Sequence, residues 1–228
     1  MKTNNCIFIL INLIIIFSIA QCSSNENKSL FKQAKSLEKA GLLDEADNIY
    51  YKLLKNEPSN FQYYSSYKRL LKRIDLPDKL IDIAYNYYQS NKENPSAYYE
   101  WISALIAGQN KNWKLELELF VENQYSNKNL MRQILYSMYS SGVSQEIKPI
   151  IEKMRLLTKN NSFLSRELGD IYILRMDYGS SVSELLLFLE ANPNDFKYVS
   201  EKIMATPQEK YITDIIRNIL ENNKSDMS

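Results

Sequence analysis

The sequence predicts an all-α chain, an α-solenoid of about five antiparallel helix pairs closed by a C-terminal capping helix pair, and three observations carry that prediction. The 228 residues include only 5 Gly and 6 Pro, too little turn chemistry for the hairpins of a β protein. Apolar residues recur at helical spacing between short polar breaks, and the breaks carry helix punctuation. Two distant segments, 28–60 and 162–195, repeat one set of side-chain spacings.

Composition narrows function before any motif is sought. Histidine is absent, which removes the imidazole base and the commonest metal ligand. With 28 Lys+Arg against 27 Asp+Glu, the chain lacks the cationic excess that duplex affinity draws on, so no nucleic-acid partner is expected. No G-x-S-x-G, Walker loop or C-x-x-C occurs. The carboxylate pairs Asp44/Glu45 and Glu116/Glu118 could in principle do glycosidic acid/base work, but Asp44/Glu45 opens a helix, where acids favour the dipole. No catalytic residue, cofactor or metal is therefore expected.

Residues 1–21 read as a secretory signal peptide: Lys2, then an apolar run from Cys6 to Ala20 too short to span a bilayer, then small polar residues. Cleavage after Ala20 is one reading. The other rests on Ile19-Ala20-Gln21-Cys22, which resembles the bacterial lipobox and implies lipidation of Cys22, although Gln21 stands where that motif prefers Gly, Ala or Ser. Cys22 would otherwise be a lone exported thiol, and 22–27 then form a polar tether.

From there the punctuation spaces the helices. Gly41, Gly108 and Gly142 follow apolar-periodic stretches, as left-handed C-cap residues do. Asn94-Pro95 and Thr206-Pro207 set a capping side chain before a proline, and Glu209 would complete a capping box with Thr206. The helices expected are 28–40, 43–56, 60–74, 77–91, 95–107, 112–123, 127–140, 144–158, 162–175, 179–191, 195–204 and 207–222, with 223–228 a frayed tail.

Leu30, Ala34, Leu37, Ala46, Tyr50, Leu53 and Pro58 recur at offsets of 4, 3, 9, 4, 3 and 5. Gly169, Tyr172, Ser181, Leu185, Phe188 and Pro193 repeat those offsets from the 3 onward. This resembles the tetratricopeptide repeat, with Ala34/Ala46 and Gly169/Ser181 at its two small positions, where the helices of a hairpin cross closely. Between them the motif lapses: Pro95 follows Pro58 by 37 residues, and from Trp101 to Met154 only the rhythm persists. The resemblance implies a non-catalytic scaffold that binds a protein or peptide in a concave groove. With Cys22, it implies a membrane-anchored lipoprotein of a bacterial cell envelope, facing the periplasm and serving envelope assembly, or else a soluble exported one.

In that family the first helix of each pair lines the groove. By resemblance Lys28, Phe31, Lys35 and Glu38 are groove residues, with Lys68 and Lys72 one repeat along. Lys28, Lys32, Lys35 and Lys39 do share one stripe of their helix. A rival reading uses the tyrosine clusters Tyr63-Tyr64-Tyr67, Tyr85-Tyr87-Tyr88 and Tyr98-Tyr99-Trp101 as a glycan or cell-wall platform. Parallel rings exposed in the groove would favour glycan; a positive groove over buried rings would favour peptide.

Overall fold

The computed structural model describes residues 25–226, and side chains as far as 222. The predicted signal peptide and Cys22 lie outside the described residues. The chain forms two compact units, one up to Ala104 and one from Leu105 onward.

The first unit holds α1 (residues 25–40), α2 (Leu43–Asn56), α3 (Phe61–Arg73), α4 (Pro77–Gln89) and most of α5 (Pro95–Ala107). Local chemistry sets the boundaries. Asp44 and Glu45 occupy the first turn of α2 and Lys55 its last, matching the helix dipole at both ends. Asn60 caps α3, its side-chain oxygen accepting from the amides of Gln62 at 3.0 Å and Tyr63 at 3.2 Å. Pro77 sits at the start of α4, where its missing N–H is not needed. The core is aromatic at its centre: Tyr50, Tyr64 and Tyr67 are fully buried with Leu53, Leu70 and Leu71, and Ala34 and Ala46 lie wholly inside the same cluster.

The second unit continues from the end of α5 through α6 (Trp113–Gln124), α7 (Lys128–Ser140), α8 (Ile147–Thr158), α9 (Ser165–Leu174), α10 (Tyr178–Ala191), α11 (Phe196–Met204) and α12 (Lys210–Asp226). Short 3₁₀ turns, Ser144–Glu146 and Pro193–Asp195, lead into α8 and α11. Leu117, Phe120, Met131, Ile134, Ile171 and Leu185 are buried. At the α9/α10 crossing, a Cβ placed on Gly169 would stand 3.0 Å from Leu185 Cγ and 3.4 Å from the Ser181 carbonyl. A methyl there would force Leu185 to give by a few tenths of an ångström, so glycine suits the crossing.

A 34-residue period survives in the backbone where the side-chain motif has lapsed. The turn inside each of the first five pairs contains one left-handed residue: Gly41, Asp75, Gln109, Gly142 and Met176, spaced by 34, 34, 33 and 34 residues. Each is followed by an amide that reaches back five residues, as in Leu42 to Leu37, Leu76 to Leu71, Asn110 to Leu105, Val143 to Met138 and Asp177 to Tyr172. That bond pattern is the Schellman closure of a helix end, which satisfies carbonyls the helix leaves open.

Within each unit like stacks on like. First helices pair through Glu38–Arg69 and Lys68–Glu100 in one unit and Arg132–Glu167 and Asp170–Lys202 in the other. Second helices pair through Asp47–Lys79, and through Glu122–Lys153 and Arg155–Glu184. The partners lie 29 to 35 residues apart, about one repeat. Such nearest-neighbour bonding of repeats is the physics of a solenoid.

Several expectations shift. Gly108 does not take the left-handed conformation; Gln109 does, one residue on. Thr206 does not cap α12, because its hydroxyl donates back to the Ile203 carbonyl at 2.8 Å, so α12 starts at Lys210 and no capping box with Glu209 forms. Residues 25–27, expected in the polar tether, belong to α1, where Asn27 is buried and donates to Glu57 at 2.7 Å. The expected tail is helical through Asp226.

Candidate functional site

The first helices of the first unit carry a one-sided charge. Along α1, α3 and α5 stand eight cations, Lys28, Lys32, Lys35, Lys39, Lys68, Arg69, Lys72 and Arg73, against three carboxylates, Glu26, Glu38 and Glu100. Glu38 and Glu100 are already engaged. Glu38 accepts from Tyr50 Oη at 3.0 Å, from Arg69 Nε at 3.3 Å and from Arg69 Nη2 at 3.1 Å. Burial alone would raise its pKa, but the hydrogen bonds from Arg69 and Tyr50, with the fields of Arg69 and Arg73, hold it below the usual carboxylate value. Glu100 accepts from Tyr64 Oη at 2.9 Å and pairs with Lys68.

Two recesses open along this layer and share Arg69. One, of about 210 Å³, lies between α1 and α3 and is lined by Lys35, Glu38, Lys39, Arg69 and Arg73. The other, of about 270 Å³, lies between α3 and α5 and is lined by Phe61, Tyr64, Ser65, Lys68, Arg69, Lys72 and Glu100. Lys72 is exposed, yet its pKa is lowered, first by burial and then by the like charge of Lys68. Phe61 is 59% exposed and offers an apolar contact inside a charged rim.

The residues marked in the sequence divide. Lys35 and Glu38 meet in the first recess, Lys68 and Lys72 in the second. Lys28 is exposed but lines neither. Phe31 turns inward, its ring 5.0 Å from that of Tyr63 and 6.1 Å from that of Tyr50. It supports Lys35, whose ammonium lies 5.3 Å from the Phe31 centroid, rather than meeting a partner itself. Sequence reasoning did not mark Lys39, Arg69, Arg73, Phe61 and Glu100 as site residues. The outward stripe of α3, Phe61-Ser65-Arg69-Arg73 at intervals of four, was a readable signal for three of them.

The repeat residues sit as follows. Tyr50, Ala34, Ala46 and Ser181 are buried, Tyr172 is half-buried beneath Arg175, Pro58 lies in an exposed turn and Pro193 opens the 3₁₀ turn before α11. Tyr63, Tyr64, Tyr67 and Tyr87 are buried under the charged layer. Tyr88, Tyr98 and Trp101 stack on one another at interplanar angles of 9° to 22°, so much of their ring faces is already covered. Among the described residues no cluster of acids or cysteines is placed to hold a metal, and no helix is long and apolar enough to cross a membrane.

No family model and no curated protein matches the chain. Among solved structures it is similar to MamA, at 18% identity and a TM-score of 0.43 over 75% of this chain and 94% of that one. YrrB, described as a TPR protein with an unusual peptide-binding site, aligns at 15% identity and a TM-score of 0.37 over 75% and 89%. TTC0263, a thermophilic TPR protein of Thermus thermophilus, aligns at 14% identity and a TM-score of 0.39 over 78% and 99%.

Proposed function

We propose that the protein is a non-catalytic interaction scaffold that docks an acidic segment of a protein partner on the first-helix layer of its first unit. One observation carries this reading: eight cations share that layer with three carboxylates, two of which are held internally. The layer is also preorganised. Tyr50 and Tyr64 fix Glu38 and Glu100 from below, and those carboxylates fix Arg69 and Lys68. A docking segment therefore orders little of the receptor, which preserves binding free energy. The buried tyrosines beneath the positive surface favour a peptide over a glycan.

The test is capture of a fluorescent Asp/Glu-rich decapeptide. Reversing two exposed charges in Lys35→Glu with Lys72→Glu should weaken binding about tenfold, since exposed pairs contribute up to ~1 kcal/mol each. The loss should be larger at low salt than at high. Undiminished capture would return the lysines to solvent duty.

As part of the same reading, the chain is exported and held at a bacterial membrane, facing the periplasm, through acylated Cys22. Cys22→Ser should then move the protein out of the membrane fraction and abolish fatty-acid labelling. Retention there would leave the anchor without a basis.

A further inference from the structure

We infer that the recess between α1 and α3 is a site for a phosphomonoester dianion carried on the docking segment. This deepens the scaffold reading and rests on it. The recess is lined by four cations and one carboxylate, and nothing else contributes to its wall. Its carboxylate, Glu38, is spoken for by Tyr50 and by two N–H groups of Arg69. A guanidinium has five N–H donors, so Arg69 keeps three while its plane is locked by the other two. Among the described residues Lys35, Lys39 and Arg73 form no ion pair, whereas Arg69 beside them is matched to Glu38 one repeat away. Four like charges around one small recess repel one another, and the single carboxylate of Glu38 offsets only part of that excess.

The chemistry of the missing partner follows from that excess. A carboxylate brings one charge and two oxygens. A phosphomonoester brings nearly two charges and three acceptor oxygens, which suits forked guanidinium donors joined by mobile ammonium groups. The ligand is a group on a chain rather than a free ion, because Arg69 is common to both recesses. Residues following the phosphate would enter the second recess at Arg69, and the segment would reach the exposed Phe61, about 12 Å further along α3, a few residues on.

The experiment measures fluorescence anisotropy with three labelled peptides, identical except for phosphoserine, Glu or Ser before a Phe, with inorganic phosphate as competitor. The phosphoserine peptide should bind at least tenfold tighter than its Glu counterpart. Lys39→Gln with Arg73→Gln, both exposed positions, should weaken the phosphoserine peptide at least tenfold more than the Glu peptide, so that the two affinities converge. Inorganic phosphate should compete only at millimolar concentration. Equal binding of the phosphoserine and Glu peptides would overturn the phosphoryl site and leave the acidic scaffold standing. Displacement by micromolar inorganic phosphate would overturn the assignment to a chain-borne group. Binding of neither anionic peptide would sink both readings.

Discussion

Two one-atom changes at a single crossing should move stability in opposite directions. Gly169 on α9 faces Leu185 and the backbone of Ser181 on α10. In Gly169→Ala the new methyl would lie 3.0 Å from Leu185 Cγ and 3.1 Å from Cδ2, inside ordinary contact distance. Leu185 is itself buried, so it can yield only by disturbing the core. Alanine gains about 1 kcal/mol of helix propensity over glycine, while overpacking costs about 1–3 kcal/mol; the net expectation is a loss of about 1 kcal/mol. Ser181→Ala works the other way. The Ser181 hydroxyl is buried without a hydrogen-bond partner, and a stranded polar group costs about 1–3 kcal/mol, so its removal should stabilise by about 1 kcal/mol. For a chain of this size, 1 kcal/mol moves Tm by about 2–4 °C, and differential scanning calorimetry of the three proteins reads both signs. A Gly169→Ala protein stabilised by the full helix-propensity gain would refute the close crossing, and with it the reading of Gly169/Ser181 as the small pair of a repeat.

The remaining predictions concern ion pairs that join neighbouring repeats. Arg155 pairs with Glu184 at 2.5 Å and also donates to Ser165 Oγ at 2.8 Å. Arg155→Ala strands a largely buried carboxylate and should lower unfolding free energy in urea by about 3–5 kcal/mol, whereas Arg155→Met with Glu184→Met should restore most of it; equal losses in both proteins would contradict the pairing. Glu38 has its pKa lowered in the folded state. Its contribution is therefore complete above the ordinary value of 4.5 and fades as pH falls through the folded value. The stability gap between wild type and Glu38→Gln should be constant near neutrality and close below about pH 4; a gap unchanged down to pH 3 would show that the carboxylate is not held by Arg69 and Tyr50.

How far the sequence reaches is clearest at the turns. Gly41 and Gly142 announced their left-handed conformations because glycine adopts them freely. Asp75, Gln109 and Met176 hold the same conformation at the same period, but the identity of those residues carries no such signal, least of all at Met176. The Schellman amide of the next residue, which reaches five residues back, fixes the backbone and lets the side chain drift, which is why the array reads as interrupted between Trp101 and Met154 while its turns keep nearly equal spacing. The same logic applies to the charges. A stripe of lysines on α1 was visible from spacing alone, yet spacing cannot say which cations a neighbouring repeat has already matched. Lys68 looked as free as Lys35 and is bound to Glu100, whereas Lys39, seen only as part of the α1 stripe, completes the recess with Arg73. Phe31 shows the limit in reverse: its groove position followed from a family register, but a ring that can stack on Tyr63 and Tyr50 is buried more favourably than it is exposed. In a repeat array a charge is fully available to a partner only if the charge one period away has not taken it, and the recess between α1 and α3 gathers three such unmatched cations, Lys35, Lys39 and Arg73, in one wall.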